Sequence, residues 1–195
     1  MKTLVLILYY SRHGSVTALA EKIAIGAQQA GAEVLVRTVP ALDGSTSGRH
    51  PVVTEQDLLA ADGFAFGSPV RFGNMAAPLK AFWDNTSGLW LKGALMDKPA
   101  GVFTSSGSMH GGNEANLLSM MLPLLHHGML VIGLPYLEPE LHHTQSGGTP
   151  YGPSHISGLS GSDKLSKDEH QLAIQFGKRL ALAAIALKTS GFTTL

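Results

Sequence analysis

The chain has 195 residues with 14 Lys plus Arg against 14 Asp plus Glu, and it contains no Cys. That length supports one domain with a full core, and the missing Cys excludes thiol catalysis, iron–sulfur clusters and cysteine zinc sites. The even charge balance, with no basic stripe, excludes a nucleic-acid-binding footprint and favours self-association.

The apolar run 3–10 is the first predicted strand. It has the length of a signal-peptide core behind a single Lys, but no small-residue cleavage site follows, so a cytoplasmic protein is expected. Val16, Leu19, Ala20, Ile23, Ala24 and Ala27 repeat at helical spacing and predict the first helix. Short apolar runs at 34–39, 63–67, 100–104 and 129–134 mostly lack alternation, as strands buried on both faces do. Helices are expected at 75–86, 112–126 and 167–188, with a short helical turn at 54–61. Residues 40–53, with Gly44, Gly48 and Pro51, read as a loop. Residues 135–165, with Gly147, Gly148, Pro150, Gly152 and Pro153, form a stretch long enough to carry a function or hidden structure. No run reaches membrane-spanning length. This alternation predicts an α/β doubly wound parallel sheet, five-stranded in the order 2-1-3-4-5, with helices on both faces. A single domain over 1–190 and a disordered tail over 191–195 are expected.

In such a sheet the ligand lies outside the carboxyl ends of the strands, and three loops there are unusual. The first, Ser11, Arg12, His13, Gly14, Ser15 and Val16, combines a tight turn, two hydroxyls and the positive end of the next helix. That suits a phosphate, and it also suits an ordinary capped turn. The second, Gly67 to Asn74, has Pro69 and Gly73 to fix its backbone, Phe72 as an apolar wall and Arg71 as a charge for a reduced flavin. A surface turn with one paired Arg reads the same way. The third, Thr104 to Glu114, carries Ser105, Ser106, Gly107, Ser108, Met109, His110 and Gly111 ahead of a helix start, and its N–H groups suit the other side of a planar ring. Neither GxxxxGKS/T nor GxGxxG is present where a nucleotide fingerprint would need it. A cradle for a terminal monophosphate remains, and FMN is the candidate.

His126-His127 and His142-His143 invite a metal, but adjacent side chains diverge on helices and strands alike, and no metal is expected. No GxSxG elbow supports a serine nucleophile. Trp83 falls at helical spacing and reads as packing, whereas Trp90, between two glycine-containing turns, reads as a site residue.

The stretches LYYSRHG, GSPVRFGNMAAPLKAFWD, GLWLKGAL, FTSSGSMHGG, LPLLHHGM and GGTPYGPSHISG resemble the WrbA-type NAD(P)H:quinone oxidoreductases, a flavodoxin-fold family that binds FMN. They follow the family's order from Leu8 to Gly161. The resemblance implies that Ser11 to Val16 bind the FMN phosphate and that Val70, Arg71 and Phe72 line the isoalloxazine. It implies that Ser105 to His110 hold the other edge of the ring and that His127 contacts FMN. Trp90 would face the open side of the flavin, where NADH or NADPH and a quinone take turns, at a subunit junction of a homotetramer. His13 stands where many members have a Tyr that touches the nicotinamide, which leaves the choice between NADH and NADPH open. Met109-His110 and the short 40–53 loop also depart from the pattern. The expected function is two-electron reduction of quinones, a hydride passing through flavin N5 in a ping-pong cycle, with the protons of the hydroquinone coming from water or from a nearby His, for which His127 is the candidate. A flavodoxin-like one-electron carrier is the alternative, although such carriers are strongly acidic and this chain is balanced.

Overall fold

The computed structural model describes residues 2–45 and 49–192; Gly48 of the first predicted loop and residues 193–195 of the expected tail lie outside them. In chain order the elements are β1 (Leu4–Tyr9), α1 (Ser15–Gln29), β2 (Glu33–Thr38), α2 (Glu55–Ala60), β3 (Gly63–Arg71), β4 (Asn74–Met75) and α3 (Ala77–Asp84). They continue with α4 (Ser87–Leu91), β5 (Pro99–Ser106), α5 (Asn113–His126), β6 (Leu130–Val131), α6 (Glu140–His143), β7 (Ser154–Ile156) and α7 (Lys167–Ser190). Gly191 caps α7 in the left-handed region, so the first residue of the expected tail belongs to the helix end.

The sheet has seven strands rather than the five expected, along the path β2-β1-β3-β5-β6 with β4 on β3 and β7 on β5. All pairs are parallel except β3 with β4. The extra strands come from two places. Asn74–Met75 folds back on Val70–Arg71 as an antiparallel hairpin. At the far edge the predicted strand 129–134 is cut short: Leu130–Val131 pairs with the start of β5, and Ser154–Ile156 takes over beside Thr104–Ser106. Between them the long 135–165 segment holds α6 and β7, so it is not a structureless loop. Its GGTPYG stretch lies against β5 so closely that a Cβ on Gly152 would sit 2.0 Å from the Val102 carbonyl oxygen.

β1 is buried on both faces and divides the core in two. Val5, Ile7 and Tyr9 pack with α1 and α7, while Leu6, Leu8 and Tyr10 join the cluster under α2, α3, α4 and α5. Leu117, Met120 and Leu124 bring α5 onto the sheet at helical spacing, whereas Leu118, Leu122 and Leu125 form a solvent-facing stripe on the same helix. Helices α1 and α7 cross where two glycines let the backbones meet. A Cβ on Gly26 would lie 2.0 Å from the Ile174 carbonyl oxygen, and one on Gly177 2.0 Å from that of Ile23. Gly177→Val is therefore expected to cost about 3 kcal/mol by forcing the helices apart, read as a lower urea midpoint at unchanged slope.

Candidate active site

Two long helices begin without a side-chain cap, each after a glycine in the left-handed region: Gly14 (φ 95) before α1 and Gly112 (φ 95) before α5. By contrast α2 and α7 carry complete capping boxes, Thr54 with Asp57 and Ser166 with Glu169. The first N–H groups of α1 and α5 thus lack side-chain partners just beyond β1 and β5, where each helix presents its positive end. In the first loop Ser11 Oγ accepts from the Gly14 N–H at 3.1 Å and closes the turn. Ser11, Ser15 and Val16 are buried, while Arg12 and His13 face solvent. Val16 thereby anchors the helix start in the core, and its backbone, not its side chain, is what the loop offers.

The second loop is a two-residue hairpin. Arg71 pairs with Asn74, and the residues between them, Phe72 (φ 52) and Gly73 (φ 78), both have positive φ. Glycine takes that conformation freely, but an aromatic residue does so under strain. The Phe72 ring is also fully exposed, and Arg71 Nη1 donates to the Val70 carbonyl at 2.9 Å. A strained, uncovered aromatic at a strand end suits a residue placed to touch a ligand. Below the hairpin a buried relay fixes its base. Asn116 Nδ2 donates to Thr104 Oγ1 (2.7 Å), Thr104 Oγ1 to the Ser68 carbonyl (2.7 Å), and Ser68 Oγ accepts from the Ala76 N–H (2.8 Å). The relay ties α5 and β5 to the base of the second loop.

The third loop is shorter than expected, because Ser105 and Ser106 belong to β5. Ser106 Oγ donates to the Ser108 carbonyl (2.7 Å) and the Gly111 N–H to the same oxygen (3.1 Å), which curls Gly107–Gly111 into a compact turn. Met109 and His110 are exposed at its tip. A Cβ on Gly112 would stand 3.3 Å from Gly73 Cα, so the second and third loops touch. Ser105 Oγ is buried without a hydrogen-bond partner among the described residues. An unsatisfied buried hydroxyl beside two uncapped helix starts is what a polar, phosphorylated, planar cofactor would complete, and the donor set fits FMN.

The profile of the NADPH-dependent FMN reductase family matches residues 1–139. The chain belongs to that family. A Geotalea daltonii protein named NAD(P)H dehydrogenase (quinone) is 40% identical over 199 aligned residues, covering 94% of this chain and 97% of its own length. A protein of the same name from Geotalea uraniireducens is 42% identical, covering 94% and 98%. Among solved structures, a WrbA-like flavodoxin from Agrobacterium tumefaciens superposes with a TM-score of 0.70 at 24% identity, over 94% of this chain and 98% of its own. The WrbA-type resemblance of the motifs therefore stands, and with it the flavodoxin-like fold.

In this FMN reductase family member the remaining predicted residues sit elsewhere. Trp90, on α4, is half exposed and donates from Nε1 to the His126 carbonyl at 2.8 Å. It shares a cavity of about 300 Å³ with His127, Trp83 and Thr86, and no residue of the three loops lines that cavity. His127, predicted to contact FMN, thus stands apart from the three loops of its own chain. Thr86 gives its only hydroxyl proton to the Trp83 carbonyl (2.7 Å), so the 3.0 Å contact with His127 has Nε2 as donor. Nδ1 then carries a lone pair and has no partner. Burial, with the neighbouring His126, keeps the His127 pKa low. The ring is held neutral, its one proton engaged on Thr86 Oγ1. A larger cavity, about 900 Å³, is lined by Tyr10 and Arg12, by 41–43, by Arg71 and Phe72 and by α3, but by nothing from the third loop. Among the described residues no group of three His, Cys, Asp or Glu side chains is placed to hold a metal ion.

Three features escaped the sequence reading. The Ser68–Thr104–Asn116 relay was signalled only by hydroxyls at the ends of apolar strands. Asp163 approaches the first loop, its Oδ2 3.9 Å from where a Cβ on Gly14 would stand. The third is a buried pair, His155 and Glu169, each 1% exposed.

Proposed function

We propose that this chain is an NAD(P)H:quinone oxidoreductase that uses FMN, and that the three loops hold the cofactor. The observation that carries the reading is nearly full-length similarity, in both directions, to proteins named NAD(P)H dehydrogenase (quinone). When bound, FMN supplies the redox chemistry, taking two electrons at N5 from NADH or NADPH and passing them to a quinone after the nicotinamide has left. Ser11 to Val16 hold the phosphate on the N-terminus of α1. Pro69 to Gly73 form one wall of the ring site, with Arg71 as the charge at its pyrimidine end. Ser105 to Gly111 form the other edge. Water, rather than His127, delivers the protons of the hydroquinone.

Trp90 and His127 serve a site at a subunit junction, in a homotetramer. The stripe Leu118, Leu122 and Leu125, with exposed Leu91 and Met96, supplies the apolar area such contacts need. Leu122→Glu is expected to shift the protein to smaller species in light scattering; an unchanged mass would remove α5 from the interface. No helix among the described residues is long and apolar enough to cross a membrane, and we place the protein in the cytoplasm.

The deciding experiment is NADH and NADPH oxidation by the purified protein with FMN, with and without benzoquinone. Quinone-dependent turnover well above the free-FMN control is expected. Turnover no faster than that control would leave the electron-carrier reading in its place.

A further inference from the structure

His155 is the middle residue of β7, buried between α7 and the loop that follows it. Its Nδ1 lies 2.8 Å from Glu169 Oε2 and its Nε2 lies 2.9 Å from the Ser162 carbonyl oxygen. Neither partner can donate, since one is a carboxylate and the other a carbonyl. Both ring nitrogens therefore carry hydrogen, and His155 is an imidazolium. The carboxylate that balances it is saturated. Glu169 Oε2 also accepts from the Ser166 N–H (2.7 Å), and Oε1 accepts from Ser146 Oγ (2.8 Å), the Gly147 N–H (2.9 Å) and the Ile156 N–H (3.0 Å). Burial works against the charge on each. The mutual contact and these hydrogen bonds outweigh it, raising the His155 pKa and holding that of Glu169 down to about 2.

The loop 157–163 that His155 grips touches two of the three flavin loops. At one end the Ser157 N–H donates to the Ser106 carbonyl at 2.9 Å. The loop is closed on itself by the Ser162 N–H on the Ser157 carbonyl (2.8 Å) and the Gly161 N–H on the Gly158 carbonyl (3.2 Å). At the other end it lies on the first loop. A Cβ on Gly161 would be 3.8 Å from His13 Cβ, and one on Gly14 would be 3.7 Å from Asp163 Cβ. Arg12 and His13 of the first loop are exposed, and among the described residues neither is seen to donate to this flap. The charged donor that fixes the loop is His155.

We propose that His155 and Glu169 are a positioning pair for the FMN phosphate, the imidazolium holding residues 157–163 against the His13–Gly14 cradle so that the pocket closes only while the ring is charged. The proposal rests on the cradle assignment made above. The charged groups that face His155 are Glu169 from α7 and Asp163 within the loop, and His13 of the first loop lies beside Gly161. Because the folded pKa of His155 is raised, the contact is fully present at and below the ordinary histidine range. It is lost as pH rises through the folded value. Glu169 remains ionised throughout that window.

The test follows the wild-type protein from pH 7 upward, where the FMN phosphate is already a dianion. Ring ¹⁵N shifts of His155 in the flavin-free protein report its protonation, and flavin fluorescence quenching reports the FMN dissociation constant. Both nitrogens are expected to be protonated at pH 7, and affinity is expected to fall about tenfold with the same midpoint as the ring titration. His155→Gln, with its fold checked by circular dichroism, is expected to bind FMN about tenfold more weakly, without that step in the profile. A neutral ring at pH 7, an affinity that stays flat while the ring titrates, or a folded His155→Gln with wild-type affinity would each overturn the proposal. The cradle assignment is judged separately: if Gly14→Val binds FMN normally the cradle is elsewhere, whereas normal sensitivity at Gly14 with any of those three results refutes the positioning pair alone.

Discussion

Gly14→Val is expected to weaken FMN binding by roughly 10- to 100-fold while the protein stays folded. Residue 14 has φ 95, where a β-branched residue costs about 1–3 kcal/mol, and each 1.4 kcal/mol is about a tenfold change in affinity. The strain can be relieved in only two ways. Either the turn relaxes in the free protein and is re-formed at a cost on binding, or it stays flipped and the N–H groups at the start of α1 no longer converge. Both outcomes act on the phosphate. A Cβ at this position would also meet Asp163 at 3.7 Å, so the added methyls press on the loop that covers the turn. The fold should survive because α1 is secured further along by Val16, Leu19, Ala20 and Ile23 in the core. Fluorescence quenching titration of the apoprotein measures the effect, and an unchanged dissociation constant would show that the phosphate binds elsewhere.

Glu169→Ala is expected to lower global stability by about 3–5 kcal/mol, the range for breaking a buried ion pair by removing one partner. The substitution strands an imidazolium in the core, deletes the capping box of α7, and leaves the Gly147 and Ile156 N–H groups unpaired. Chemical denaturation at pH 7 measures the loss. The wild-type protein has a matching acid sensitivity. The folded pKa of Glu169 is about 2 against 4.5 for the free side chain, so its contribution, about 3 kcal/mol by linkage, is complete above the free value. It disappears as pH falls towards 2. Glu169→Ala should therefore show a shallower decline in stability between pH 5 and pH 3 than the wild type. A decline equally steep in both would place the acid-sensitive group elsewhere.

Strands β1, β3 and β5 were legible because each is a short apolar run buried on both faces, a pattern that does not depend on its neighbours. The first and third loops were legible for a local reason too: Ser and Gly at strand ends leave helix starts open. What the sequence hid was non-local. Whether residues 129–134 run as one strand depends on where the GGTPYGPS segment passes, and that passage is fixed by contacts with β5 from residues twenty positions away. Ser166 and Glu169 form a capping box at the start of α7. Nothing in their spacing announces that the same carboxylate is also buried against His155. Phe72 was read as an apolar wall from its type alone. Its left-handed backbone comes from the two-residue hairpin, which Asn74–Met75 completes only in three dimensions. His127 was assigned from the family resemblance and Trp90 also from its place between two glycine-containing turns, and the chain places both around a cavity of their own.

The crossing of α1 and α7 at Gly26 and Gly177 has a consequence for how the cofactor is exchanged. Backbone resting on backbone at that crossing, with Leu19 and Ile23 packed beside Leu172 and Phe176, leaves α1 no second position to slide or roll into. Its amino end keeps one aim whether flavin is present or has been stripped away. Restoring the holoprotein from stripped material should then be a second-order event set by how often the two molecules meet, with no slow refolding phase and no memory of how long the protein has stood without its flavin.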